Sequence, residues 1–229
     1  MKIKTVSLLS ILLLSLGSCG PVMKTMVGLK NPRVQTKSEV ETYFKDVLPA
    51  EKTYFFTVHK VGDSATIYRN LMLGFNSEMK LFDRKGVRYC YQGTEECSGT
   101  QMTKAFAEFE NNYKPCQYDT VEDTETLEDF LNIMVDVNGK RLTMADLPEA
   151  EYYVIQNWNT YSGPKKHFRE DVQWLQTLRS KASNRIAIIF INGDLLVDWG
   201  LIAGEELPIK FKKNKKGYTL NFGKLPLAK

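Results

Sequence analysis

Histidine is scarce in this chain: two residues, His59 and His167, stand isolated among 229. The four cysteines form no zinc signature either, so no metal and no other cofactor is expected. A strong charge of either sign is also missing. The formal net charge is +4, which makes a nucleic-acid partner a poor expectation. Past the first eighteen residues no run of apolar residues is long enough to span a bilayer.

What is present starts at the N-terminus. Lys2 and Lys4 precede an apolar stretch from Val6 to Leu16, too short for a transmembrane helix, and small residues follow it. Residues 1–18 therefore read as an export signal. Leu16-Gly17-Ser18-Cys19 resembles the lipobox of bacterial lipoproteins. That resemblance implies cleavage ahead of Cys19, with a thioether-linked diacylglycerol and an N-linked acyl chain such as palmitate, which together anchor stably. Gly20 is not the aspartate that retains lipoproteins in the inner membrane of some bacteria, so the expected site is the outer membrane, facing the periplasm. The alternative is an ordinary cleaved signal with a chance cysteine. Residues 19–37 lack apolar periodicity and read as a lipidated, flexible stalk. Without Lys2 and Lys4 the net charge falls to +2.

The remaining 190 or so residues suffice for one large or two small cores. Apolar residues at 40, 43, 44, 47 and 48 give Lys37–Leu48 the period of an amphipathic helix, stopped by Pro49. Thr53–Val58 reads as a buried strand and Ser64–Leu73 as a helix. Glu78–Phe82 and Val87–Tyr91 flank Asp83-Arg84-Lys85-Gly86 and read as a β-hairpin. Thr100–Tyr113 puts Met102, Ala105, Phe106 and Phe109 on one helical face. Residues 119–129 are acidic and read as a solvated linker or helix face. Asn138-Gly139 is the strongest hairpin signal, and Thr143 can cap a short helical turn. Tyr152–Trp158 then reads as a strand, Lys165–Leu178 as a helix with Phe168, Val172, Leu175 and Leu178 inward, and Arg185–Ile191 as an apolar parallel strand. The chain closes on a lysine-rich hairpin, Ile209–Lys212 and Tyr218–Phe222, whose charges suit edge protection more than lipid contact.

Removing Cys19 leaves Cys90, Cys97 and Cys116, an odd number in a compartment that permits disulfides. Cys90 ends a hairpin strand and Cys97 precedes the expected helix, so a Cys90–Cys97 bond is expected, with Cys116 free beyond the helix.

Residues 131–192 carry a second resemblance. The runs DVNGKRLTMADL, YYVIQNWNTYSGPKKHF and IAIIFINGD are similar to the thioredoxin-like fold, in particular the exported thiol–disulfide reductases and their peroxiredoxin relatives. There a hairpin precedes a strand ending in W-A-x-W-C-G-P-C. Here Trp158, Gly163 and Pro164 are identical, Tyr161 keeps the length, and the two cysteine positions hold Ser162 and Lys165. In a C-x-x-C site the first thiol gains its reactivity at a helix N-terminus and the second resolves the mixed disulfide. Serine can do neither, although it makes a good N-cap, and Lys165 places a cation at the unfavourable end of the helix. A hydrolytic Ser162 would need a base, and His167 on the same helix brings no orienting carboxylate. Pro208 is a candidate for the family's cis-proline ahead of a hairpin.

The expected class is thus α/β and thioredoxin-like. Residues 38–118 and 119–229 form either two tandem thioredoxin-like lobes or one enlarged fold with an added N-terminal layer. The expected function is a lipid-anchored, redox-inactive binding or accessory protein of the cell envelope, touching the membrane through its lipid and an envelope protein or peptide as partner. The alternative is a thiol–disulfide oxidoreductase acting through Cys90, Cys97 or Cys116.

Overall fold

The structure, a computed structural model, describes residues 28–75, 79–92, 113–117, 125–181, 185–214 and 217–228. Helix α1 spans Lys37–Val47, and its start is fixed by Thr36 and Glu39, each side chain accepting the other residue's backbone N–H. It places Val40 and Phe44 in the core. The four residues of β1, Thr53–Phe56, are all buried. Helix α2 follows at Ser64–Phe75, then the hairpin of β2 (Lys80–Asp83) and β3 (Arg88–Tyr91). Its turn is held by the Asp83 carboxylate, which accepts from the N–H groups of Lys85 and Val87.

Tyr113–Pro115 is a strand, β4, so Tyr113 does not end a helix as its pattern suggested. The rest of that expected helix lies outside the described residues. Acidic residues do front a helix face: α3, Leu127–Asn132, opens with Thr126 and Asp129 capping each other and buries Leu127, Phe130 and Leu131. Strand β5 is only Met134–Val135, ahead of a turn in which Gly139 has φ 82°. Strand β6 covers Tyr152–Trp158, helix α4 Lys165–Lys181 and strand β7 Ile186–Asn192. The hairpin of β8 (Ile209–Asn214) and β9 (Gly217–Phe222) forms a two-stranded sheet of its own.

The other seven strands make one mixed sheet in the order β4-β3-β2-β6-β7-β1-β5. Its centre is parallel: β6 pairs with β7 from Tyr152↔Ile186 to Trp158↔Asn192, and β7 pairs with β1 from Thr53↔Phe190 to Phe55↔Asn192. The flanking pairs β2/β6, β2/β3, β3/β4 and β1/β5 are antiparallel. All seven residues of β7 are buried, as a strand covered on both faces requires.

Alternation along β6 assigns the layers. Trp158, on one face, meets Phe44 of α1 and Phe168 of α4, each with ring centroids 5.1 Å away. Phe82, opposite Tyr153 on the other face, meets Phe130 of α3 at 5.6 Å. Strands from residues 38–118 and 119–229 therefore interleave in one sheet around one core, and the boundary at 118/119 separates no pair of lobes. The molecule is α/β, built on one seven-stranded mixed sheet.

Two further expectations change. Residues 28–36 are not a free stalk: Val34 is 2% exposed, and its N–H and C=O bond Glu205 and Gly204. A stretch fixed through its backbone carries no side-chain periodicity to read. Pro208 is not cis, since no described peptide bond is.

Candidate functional site

Strands β6 and β7 end side by side at Trp158 and Asn192, and the loops 159–164 and 193–196 leave from the same end. Beyond the carboxyl ends of parallel strands is where ligands of open α/β sheets bind.

Trp158 is buried, and its indole N–H donates to Thr53 Oγ1 of β1 at 2.8 Å. The rings of Phe168 and Tyr43 lie nearly parallel to it, at 15° and 10°. Asn159 shapes the loop that follows. Its Oδ1 accepts from the N–H of Tyr161 (3.1 Å) and of Ser162 (2.6 Å), and its Nδ2 donates to Gly74 O at the end of α2 (2.7 Å). Tyr161 is 1% exposed; its hydroxyl donates to Gly193 O at 3.2 Å and its ring lies 4.8 Å from Phe75. Burial, with Asp194 nearby, pushes that phenol well above its ordinary pKa.

Ser162 is exposed and bridges Leu29 of the N-terminal segment. Gly163 has φ 126°, a conformation L side chains rarely adopt. Helix α4 begins only at Lys165, so Ser162 is not its N-cap. The physical reason is the turn at Asn159, which takes the Ser162 N–H and leaves Gly163 and Pro164 to reach the helix. Lys165 is tied down. Its ammonium lies 4.6 Å over the Tyr43 ring and pairs with Asp46 of α1, which Arg169 also approaches at 3.5 Å. The Lys165 hydrogen bond and charge hold the Asp46 carboxyl below its ordinary range. A neighbouring carboxylate thus offsets the cation at the helix start.

Behind the loop lies Asp194, with no exposed surface. One oxygen accepts from Asn192 Nδ2 (2.6 Å), the other from Thr160 Oγ1 (2.8 Å), and the Thr160 N–H reaches both (3.1 and 3.2 Å). Gln35 Nε2 in turn donates to Thr160 Oγ1 at 3.0 Å. Burial pushes Asp194 up to about 6, against the pull of these donors. Gly193 touches the end of α2 backbone to backbone: a Cβ there would stand 2.2 Å from Gly74 Cα.

The structure therefore assembles Trp158, Tyr161, Ser162, Gly163, Pro164 and Lys165 around one loop, with only Ser162 and Pro164 facing out. Sequence reasoning missed Asp46, Asn159, Asn192 and Asp194. The signal for the last two was the polar Asn-Gly-Asp directly after an apolar strand. Cys19 and Cys97 lie outside the described residues. The expected Cys90–Cys97 pairing is corrected: Cys90 is bonded to Cys116, Cα–Cα 4.9 Å, diagonally across the β3/β4 ladder. Strand β4 returns beside β3 and brings Cys116 opposite Arg88, where a helix would have carried it away.

No protein-family model, curated protein or solved structure matches the chain. Among the described residues no three or more His, Cys, Asp or Glu side chains are grouped to hold a metal ion, and no helix is long and apolar enough to cross a membrane. Chemically, the loop presents the Ser162 hydroxyl and the Lys165 ammonium, the latter paired with Asp46. Asp194 has no surface with which to touch a substrate and serves to hold the loop.

Proposed function

We propose that this chain is a lipid-anchored, redox-inactive, thioredoxin-like binding or accessory protein of the bacterial cell envelope. The observation that carries the reading is the loop before α4. A strand, a loop and a helix follow one another over residues 152–181, which supports the reading, and Lys165 pairs with Asp46 while Ser162 meets the chain's own N-terminal segment. Neither side chain can make the mixed disulfide that reduction requires. The hairpin beside β6 is β2/β3, and the later hairpin β8/β9 stands apart in a two-stranded sheet.

One observation favours a second reading, a thiol–disulfide oxidoreductase using Cys90, Cys97 and Cys116: Cys90 and Cys116 are joined. That bond joins β3 to the residue just past β4, with β2 between β3 and β6. An insulin-reduction assay separates the two. Wild type and Ser162→Ala should both run at background; a wild-type rate well above it, lost in Cys90→Ser, would overturn the binding-protein reading.

A further inference from the structure

Residues 28–35 lie along the site as an extended segment whose two ends are held differently. At the inner end the Val34 N–H donates to Glu205 O (2.8 Å) and Gln35 N–H to Leu195 O (2.9 Å), while Gly204 and Val197 donate back to Val34 and Gln35 (both 3.0 Å). That end runs directly into α1 and is part of the core. Asn31 forms the joint, donating to Glu206 Oε2 (3.0 Å) and accepting from the Ile209 N–H (3.1 Å). The outer end rests on the loop. Leu29 bridges Ser162 antiparallel, with the Lys30 N–H donating to Tyr161 O at 2.9 Å. Gly28, at φ 66°, lies flat on the turn: a Cβ there would stand 3.0 Å from Pro164 Cδ and 3.3 Å from Gly163 Cα.

We propose that the Tyr161 carbonyl and the surface of Ser162, Gly163 and Pro164 form a binding site for an extended peptide, and that residues 28–30 are its resident, exchangeable occupant. This rests on the binding-protein reading above and names its ligand class. Asn159 Oδ1 holds the N–H groups of Tyr161 and Ser162, so the loop offers an extended chain the Tyr161 carbonyl, which takes the Lys30 N–H, and the surface of Gly163 and Pro164, on which Gly28 lies. The occupant displays the preference: a residue without a side chain over Gly163-Pro164, then an aliphatic one opposite Ser162. Releasing residues 28–30 leaves the Val34 and Gln35 anchors intact, so exchange does not require unfolding.

The test uses the full chain and a fluorescein-labelled peptide of residues 25–31, TMVGLKN, followed by anisotropy. Gly28→Ala weakens the occupant through both φ and contact, so the free fraction of the site rises and the peptide should bind roughly tenfold more tightly than to wild type. Leu29→Asn serves the same end if Gly28→Ala misfolds by circular dichroism. In the oxidised double variant Leu29→Cys, Ser162→Cys the occupant is locked, and binding should be lost while the single variant Leu29→Cys keeps it. Equal affinity in locked and unlocked proteins, or no binding to a folded weakened variant at millimolar peptide, overturns the proposal. A native-membrane pull-down that recovers the same partner with locked and unlocked protein would also overturn it, leaving the accessory reading in place.

Discussion

Asp194→Asn should change how stability depends on pH, and only over a defined window. In the folded protein burial raises the Asp194 carboxyl from 3.8 to about 6. Between these values the unfolded chain has released its proton and the folded chain has not. The contribution of this group is therefore fully present below about pH 4, falls as pH rises, and is gone above about pH 6. A rise of that size corresponds to roughly 3 kcal/mol, an order-of-magnitude figure at about 1.4 kcal/mol per unit. The carboxyls held low have the opposite sign and a different window. Asp146, pulled to about 2 by Lys140 and Thr143, and Asp46, Asp63 and Asp129 stabilise above their unfolded values and lose that effect as pH falls into the acid range. Every titrating group other than Asp194 is shared by wild type and variant, so the difference curve isolates it. Asn carries an NH2 where the protonated carboxyl carries its O–H, so it stands in for the neutral acid and never takes on the buried charge. The variant should stay close to wild type near pH 4 and be more stable than it near pH 7, the difference changing by roughly 3 kcal/mol, by urea unfolding followed through tryptophan fluorescence. Parallel stability curves across that range would refute the argument that burial dominates at Asp194.

Three other outcomes follow from the same contacts. Gly193→Ala must separate the β7 loop from Gly74, so urea unfolding should show a loss of about 1–3 kcal/mol or more, and Gly74→Ala should resemble it because both force the same backbones apart. Non-reducing peptide mapping should recover a Cys90–Cys116 fragment, and Cys116→Ser should cost about 3 kcal/mol on chain-entropy grounds, measured as a lower urea midpoint. Cys19→Ser should move the protein from the membrane to the soluble fraction; fractionation identical to wild type would remove the lipid anchor from the proposal.

Local structure was legible wherever periodicity and turn chemistry agree. Tyr152–Trp158 was read to the residue, and the helices at 37 and 165 and the turns at 83–86 and 138–139 stand where their residues placed them. Partner choice was not legible. Nothing in Thr53–Phe56 says that it will pair with β7 some 137 residues later, because a fully buried strand has no face to mark. The error at Tyr113 has the same origin: three residues beside β3 are held by ladder bonds and a disulfide, neither of which leaves a pattern in so short a stretch. At the site the framework residues were visible through a motif of fixed length. Supports such as Asp46 and Gln35 were not, since they matter through where other segments carry them.

The bond between Cys90 and Cys116 makes a closed ring of the chain between them, 26 residues apart in sequence. A protease that cuts once anywhere inside that ring produces two chains but no dissociation, since both cut ends stay covalently joined to the sheet. Strand β4, three residues long and at the sheet margin, keeps its place beside β3 by the same link. The span between Cys90 and Cys116 has both its ends fixed by that link. It can be lengthened, shortened or recoded at a closure cost that grows only with the logarithm of its length. Cut once within the ring, the margin stays joined to the sheet.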